Sequence, residues 1–159
     1  MAQTFLNLAQ GVTGTLPTSN YGAKIGQVVQ TTTKTETATN STSFVDCNNL
    51  SLNITPTSAS SKILAIANIA GIICSASDGD AVSLRILRDS TEVSVLINVN
   101  YQTNDDQVLS CVPMTVLDSP NSTSQLTYKI QVRNRQSNNV SMNGSGDSDS
   151  SLTLMEVLA

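Results

Sequence analysis

From Lys24 to the C-terminus, apolar side chains return at every second position, and nowhere do they repeat at helical spacing with caps at the ends. A period of two is the signature of a half-buried strand, because successive side chains point to opposite faces of a sheet. Ile25, Val28 and Val29 open a first strand that runs through Thr33. Leu50, Leu52 and Ile54 alternate with polar residues and stop at Pro56. Residues 62–74 form a near-continuous apolar run, which suits a central strand buried on both faces or a long bent one. Alternation resumes over 81–88, 92–99, 108–117 and 126–135, and two short stretches, 140–142 and 152–158, finish the chain. Between them lie SDGD (77–80), RDSTE (88–92), TNDD (103–106), DSPNSTS (118–124) and NGSGDSDSS (143–151), all turn chemistry.

Eight to ten short strands with turns at 8–12-residue spacing specify an all-β fold, an antiparallel β-sandwich of jelly-roll-like kind with an extended N-terminal arm. The folded unit is expected to be residues 24–159. Its core is drawn from Val28, Leu50, Leu52, Ile54, Ile63, Leu64, Ile66 and Leu84 in the first half. Ile86, Val95, Ile97, Val116, Ile130, Val132, Leu152 and Leu154 complete it.

Residues 1–23 read differently. Phe5, Leu6, Leu8, Val12 and Leu16 are apolar, but Gly11, Gly14, Pro17 and Gly22 interrupt them. Proline and glycine make a helix costly there. An apolar segment without an element of its own is expected to lie extended on another surface, with those five side chains as its anchors. Fully extended it would reach about 75–80 Å.

Composition removes whole classes of function. The chain has no His and no Trp, three Tyr and two Phe. Without His there is no Ser-His-Asp or Cys-His pair and no histidine-bearing zinc site. A net charge of −4 has the wrong sign for duplex nucleic acid or an anionic membrane. No cofactor and no catalytic residue is expected. Cys47, Cys74 and Cys111 lack CxxC spacing and are odd in number, so they are expected to be reduced and unpaired. MAQTFLNLAQGVTG has neither the basic nor the apolar region of a signal peptide, and the apolar run is too short to span a bilayer. The chain is therefore expected to be made in a cytoplasm and kept in solution until assembly.

Some residues invite a chemical reading. Asp78 with Asp80, Asp105 with Asp106, and Asp147 with Asp149 put paired carboxylates in loops, a partial match to calcium-binding loops. Turn preference accounts for each pair, and no metal is assigned. A glycosidase is disfavoured by the scarcity of aromatics on which a sugar could stack. Six Asn-x-Ser/Thr sequons, at Asn40, Asn49, Asn53, Asn121, Asn139 and Asn143, follow from a composition with 22 Ser and 19 Thr. Arg85, Arg88, Arg133 and Arg135 alternate along strands, as if projecting from one face. The near-absence of charge on 62–74 and 107–117 suggests burial beyond what one small sandwich supplies.

A series of motifs, in order along nearly the whole chain, resembles a segment recurring in structural proteins of tailed bacteriophages. They are LAQGVTGTLP (8–17), KIGQVVQT (24–31), TSFVD (42–46), LSLNITPTSASSKIL (50–64), LRDST (87–91), LDSP (117–120), TYKIQVR (127–133) and LTLMEV (152–157). The resemblance implies a non-enzymatic virion protein, made in the host cytoplasm. It leaves two roles open. One is a homotrimeric capsid decoration (cement) protein whose arm docks on the major capsid protein. The other is a tail-fibre head, attached to a tail or baseplate protein, that binds a host-surface glycan. Decoration is preferred, because the chain carries no coiled coil, repeat or collagen-like run from which to build a shaft.

Overall fold

The computed structural model describes residues 24–74, 79–101, 108–144 and 146–159. Ten strands follow in chain order: β1 (Ile25–Thr33), β2 (Thr37–Thr39), β3 (Val45–Ile54), β4 (Lys62–Cys74) and β5 (Val82–Arg88), then β6 (Thr91–Val99), β7 (Val108–Asp118), β8 (Leu126–Asn134), β9 (Val140–Met142) and β10 (Ser150–Val157). All pairings are antiparallel. A four-stranded sheet has the order β3-β8-β5-β6. The six-stranded sheet runs β1-β10-β4, with β7 along the other edge of β4. β10 pairs with the first half of β4, and β9, which also pairs β2, takes over at Ile73 and Cys74. The sheets stack face to face and meet along β1–β3 on one side and β6–β7 on the other. The antiparallel sandwich expected from the alternation is thus the fold found.

The core is the inward row of each strand. Leu84, Ile86, Ile130 and Val132 of one sheet meet Ile63, Ala65, Ala67, Leu152 and Leu154 of the other, all fully buried. Three side chains expected in this core are not in it: Val28 is 54% exposed, Val95 38% and Ile97 49%. Leu52, Leu64, Ile66 and Val116 are only half-buried. The cause is parity. β1 has Val28 and Val29 side by side, so one must face out. In β6, Leu96 pairs opposite the buried Leu84 while Val95 pairs opposite Arg85, which turns Val95 outward.

Register shifts interrupt the β1–β10 and β5–β6 pairings, and bulges reset parity in β3 and β4 as well. Asn49, at φ 59°, lies where the β3–β8 register shifts between Asp46 and Ser51, and β3 continues through this bulge back to Val45. Gly71, at φ 59°, lies in the β4 bulge between Ile69 and Ile72. A Cβ there would come within 3.0 Å of the Asn143 backbone. The run 62–74 is therefore a bent strand with one face in the core, not a strand buried on both faces. Around the bend, Asn143 donates through Nδ2 to the carbonyls of Thr33 and Thr35 (both 3.1 Å). Its Oδ1 accepts from Ser150 Oγ (2.7 Å), which in turn accepts from Ala70 N (2.9 Å). β2, whose TAT sequence is too polar to signal a strand, forms beside β9.

Two further polar clusters fix the strand ends. Glu156 occupies the inward row of β10 and is fully buried. Its carboxylate accepts from Gln27 Nε2 (2.8 Å), Thr57 N (2.7 Å) and Thr57 Oγ1 (2.7 Å). Burial alone would disfavour its charge, but the hydrogen bonds from Gln27 and Thr57 outweigh it and hold the carboxyl at about 2. On β7, in register with Glu156 through Ile63 of β4, Asp118 Oδ2 accepts from Tyr128 Oη (2.6 Å) and from Arg88 Nη1 (2.5 Å), tying β7 to β5 and β8. Burial, reinforced by Asp118, pushes the Tyr128 phenol far up, so it stays a hydrogen-bond donor.

Candidate functional site

The two outer faces of the sandwich differ in chemistry. On the six-stranded sheet, the outward side chains line up in cross-strand rows through β1, β10, β4 and β7. One row is Val28, Met155, Leu64, Leu117. The next is Gln30, Thr153, Ile66, Thr115, and the third is Thr32, Ser151, Asn68, Pro113. None of these twelve side chains is charged. Gln30 Nε2 donates to Thr153 Oγ1 (2.8 Å), so part of the polar complement is satisfied within the face. Val28 and Leu117 are about half exposed, as is Ile25 at the start of β1. Lys24, Lys62, Leu117, Val157 and Leu158 line a shallow groove at the end of the face where residues 1–23 join it.

The outer face of the four-stranded sheet is charged and internally paired. Lys129 Nζ lies 2.9 Å from Asp46, and Arg85 Nη1 lies 3.1 Å from Glu92 Oε2. Gln131 bridges the pairs, donating to Asp46 Oδ1 (2.5 Å) and accepting from Arg85 Nε (2.8 Å). The Gln131 and Lys129 hydrogen bonds hold the Asp46 carboxyl below its ordinary value. The guanidinium groups of Arg85 and Arg133 lie over the Phe44 ring, 4.2 and 4.8 Å from its centroid. Arg135 lies 5.2 Å from the Tyr101 centroid and donates to the Gly79 carbonyl. The four arginines do not share one face. Arg88 turns inward to Asp118 because it pairs opposite the core-facing Tyr128.

The structure separates the other residues singled out in the sequence. Asp80 is fully buried, accepting from Asn134 Nδ2 (3.0 Å) and Ala81 N (2.9 Å), so it seals a strand end and offers no open ligand position. Asp147 and Asp149 are exposed, with Lys34 Nζ 4.0 Å from Asp149. Among the described residues no three acidic or thiol side chains gather as metal ligands. Asp78, Asp105 and Asp106 lie outside the described residues, as do Phe5, Leu6, Leu8, Val12 and Leu16. The sequon residue Asn143 is buried and fully engaged.

All three cysteines are free thiols. Cys47 and Cys74 are buried, Cys47 with its sulfur 3.2 Å from that of Met142. Burial pushes the Cys47 thiol up strongly and the Cys74 thiol to about 12. Cys111, on the outer side of β7, is exposed. The Phe44 stack and the uncharged rows escaped sequence reasoning, since both depend on strand register. The scarcity of charge on 62–74 and 107–117 was the one signal of the latter.

No family model matches the chain, and no curated protein does. Among solved structures it is similar to the VP2 subviral particle of infectious bursal disease virus, with TM-score 0.47 and 12% identity over 82% of this chain and 32% of that one. The Gx strain of the same virus gives TM-score 0.46 and 13% identity over 82% and 32%. T=1 particles derived from the virus give 0.42 and 13% over 84% and 36%. This chain spans about a third of the length of those chains.

Proposed function

We propose that this chain is a non-enzymatic structural protein of a tailed-phage virion, a homotrimeric capsid decoration protein held to the shell by its N-terminal arm. The observation that carries the reading is the three uncharged rows on the outer face of the six-stranded sheet, bounded at one end by Lys24 and Lys62. A solitary domain in water is expected to distribute charge over both outer faces, as the four-stranded sheet does here. A face of Val, Leu, Ile, Met, Thr and Ser with half-exposed apolar side chains fits a protein that works as part of an assembly.

Residues 1–23 form the arm and 24–159 the sandwich. The arm has no charged residue at all, which favours a docked segment over a solvated one. Phe5, Leu6, Leu8, Val12 and Leu16 insert into grooves of the major capsid protein, and the arm's length allows it to cross subunit boundaries. A tail-fibre head binding a glycan has weaker support. Sugar sites stack rings on open aromatic faces, whereas Tyr128 is buried and arginines lie over Phe44 and Tyr101.

Two experiments test this. Cryo-electron microscopy of the virion should find the sandwich on the outside of the head; density on the tail would overturn the decoration role. Deleting residues 2–20 should leave a folded trimer that no longer attaches to particles. Full occupancy by the truncated protein would show that the arm is not the anchor.

A further inference from the structure

We infer that Tyr21, at the root of the N-terminal arm, packs into the groove at the end of the six-stranded sheet's outer face, so that residues 17–23 fold back onto the domain they lead into. The inference goes beyond the virion reading and does not depend on it. Residues 1–23 lie outside the described residues, and they join the domain at the groove itself. There Leu158 N donates to the Lys24 carbonyl (2.7 Å), and Lys24 and Leu158 both line the groove.

The shape of the groove follows from unequal exposure across the face. Ile25 and Val28 on β1 and Leu117 on β7 are about half exposed, while Met155 and Val157 of β10 and Leu64 of β4 are half-buried between them. The outer strands thus bound a trough three strand spacings, or about 14 Å, across. At its end lies a cavity of about 290 Å³. That is the low end for a small-molecule site, and the apolar end of the face falls short of the roughly 1,000 Å² that two separate proteins bury. A tethered segment meets a lower requirement, because its effective concentration is already in the millimolar range. The groove therefore fits an occupant that the chain itself supplies.

Reach selects the residue. Between Leu16 and Lys24 the sequence is PTSNYGA, in which Tyr21 is the one large side chain with an apolar body. Three residues span at most about 10 Å, enough with the length of the side chain to set the ring on Val157 between Leu158 and Leu117. Because β1 runs antiparallel to β10, the chain followed backwards from Ile25 leaves the sheet past Leu158. It must reverse to enter the groove, and Gly22 supplies the backbone freedom at that position. Lys24 and Lys62 stand at the rim without an acidic partner among the described residues, and their ammonium groups complement the face of an aromatic ring. Leu16 and the apolar residues before it stay clear of the groove, so the clamp fixes where the arm leaves the domain.

The chain has no tryptophan, so Tyr21→Trp places a single fluorophore at the root of the arm. Its emission should be blue-shifted, and its quenching by acrylamide several-fold slower, relative to the double variant Tyr21→Trp, Leu117→Lys, which sets a charge on the groove wall. Leu117 is already half exposed, so its lysine variant keeps the fold, which circular dichroism verifies. Leu109→Lys, at the exposed other end of β7, is the control and should leave the indole shielded. In the unaltered protein, amides 18–23 should exchange with deuterium about tenfold more slowly than in Leu117→Lys alone, and this measurement decides if the larger indole does not fit. Amides that exchange freely in the unaltered protein, or are protected equally in Leu117→Lys, overturn the inference. Loss of shielding in Leu109→Lys as well as in Leu117→Lys marks a general loosening and overturns it too. Shielding lost on about a hundredfold dilution places the segment in the groove of another copy and refutes the intramolecular clamp.

Discussion

Replacing Glu156 by glutamine should destabilise the sandwich at neutral pH and remove much of its acid sensitivity. Glu156 joins β10 to Gln27 of β1 and to Thr57 in the β3–β4 connection through three hydrogen bonds of 2.7–2.8 Å. A glutamine has one acceptor oxygen. If that oxygen keeps both Thr57 bonds, the new amide NH₂ faces the Gln27 amide. Gln27 cannot turn over freely, because its Nε2 also donates to the Thr55 carbonyl at 2.7 Å. One charge-assisted bond is lost and a buried donor faces a donor, a loss of about 1.5–3 kcal/mol.

The pH dependence gives an independent magnitude for the same carboxylate. Its folded value of about 2 lies below the ordinary 4.5, and at about 1.4 kcal/mol per pH unit this gap corresponds to about 3.5 kcal/mol. Because the folded value is the lower one, the contribution is complete above about pH 5.5. It drains away as pH falls through 4.5 and is gone near pH 2. Urea unfolding followed by far-UV circular dichroism at one protein concentration, at pH 7, 5, 4 and 3, reads both effects. Asp46 contributes to the acid slope of both proteins, so the difference between wild type and variant isolates Glu156. The reasoning is refuted if Glu156→Gln lies within about 0.5 kcal/mol of wild type at pH 7, or if the two curves fall in parallel between pH 5 and 3.

Three further substitutions probe other parts of the fold, each by thermal or urea unfolding. Gly71→Ala should cost about 2–3 kcal/mol, since it combines a positive φ with a Cβ pressed on the Asn143 backbone; a neutral result would mean the β4 bulge relaxes. Tyr128→Phe should cost about 1–2 kcal/mol by removing one of the two donors to Asp118, and no loss would mean that Arg88 alone satisfies that carboxylate. Phe44→Ala should cost about 1–2 kcal/mol by releasing two stacked guanidinium groups, and a variant as stable as wild type would mark the stack as incidental.

The alternation of side chains by itself determined that this chain is all-β, and it located most strands and their turns. Wherever one parity was apolar and the other polar, as in Leu84–Ile86 and Ile130–Val132, it also named the inward row, because a strand has only two faces. It stopped short where both parities were apolar or a bulge intervened. Alternation places Val28, Val95 and Ile97 inward, and the structure turns them out. The short β2 carried no hydrophobic signal, and in β3 the bulge at Asn49 puts Val45 and Cys47 out of phase with Leu50, Leu52 and Ile54. Parity did place Glu156 in register with Leu152 and Leu154, yet only the packed sandwich brings Gln27 and Thr57 to that carboxylate, from residues 129 and 99 positions away. The uncharged face is likewise a tertiary property. Its rows take one residue from each of four strands, and those neighbours exist only once the register is set by which sides find burial. Sequence periodicity is local, while register and long-range hydrogen bonding are decided by closing the two sheets on one another.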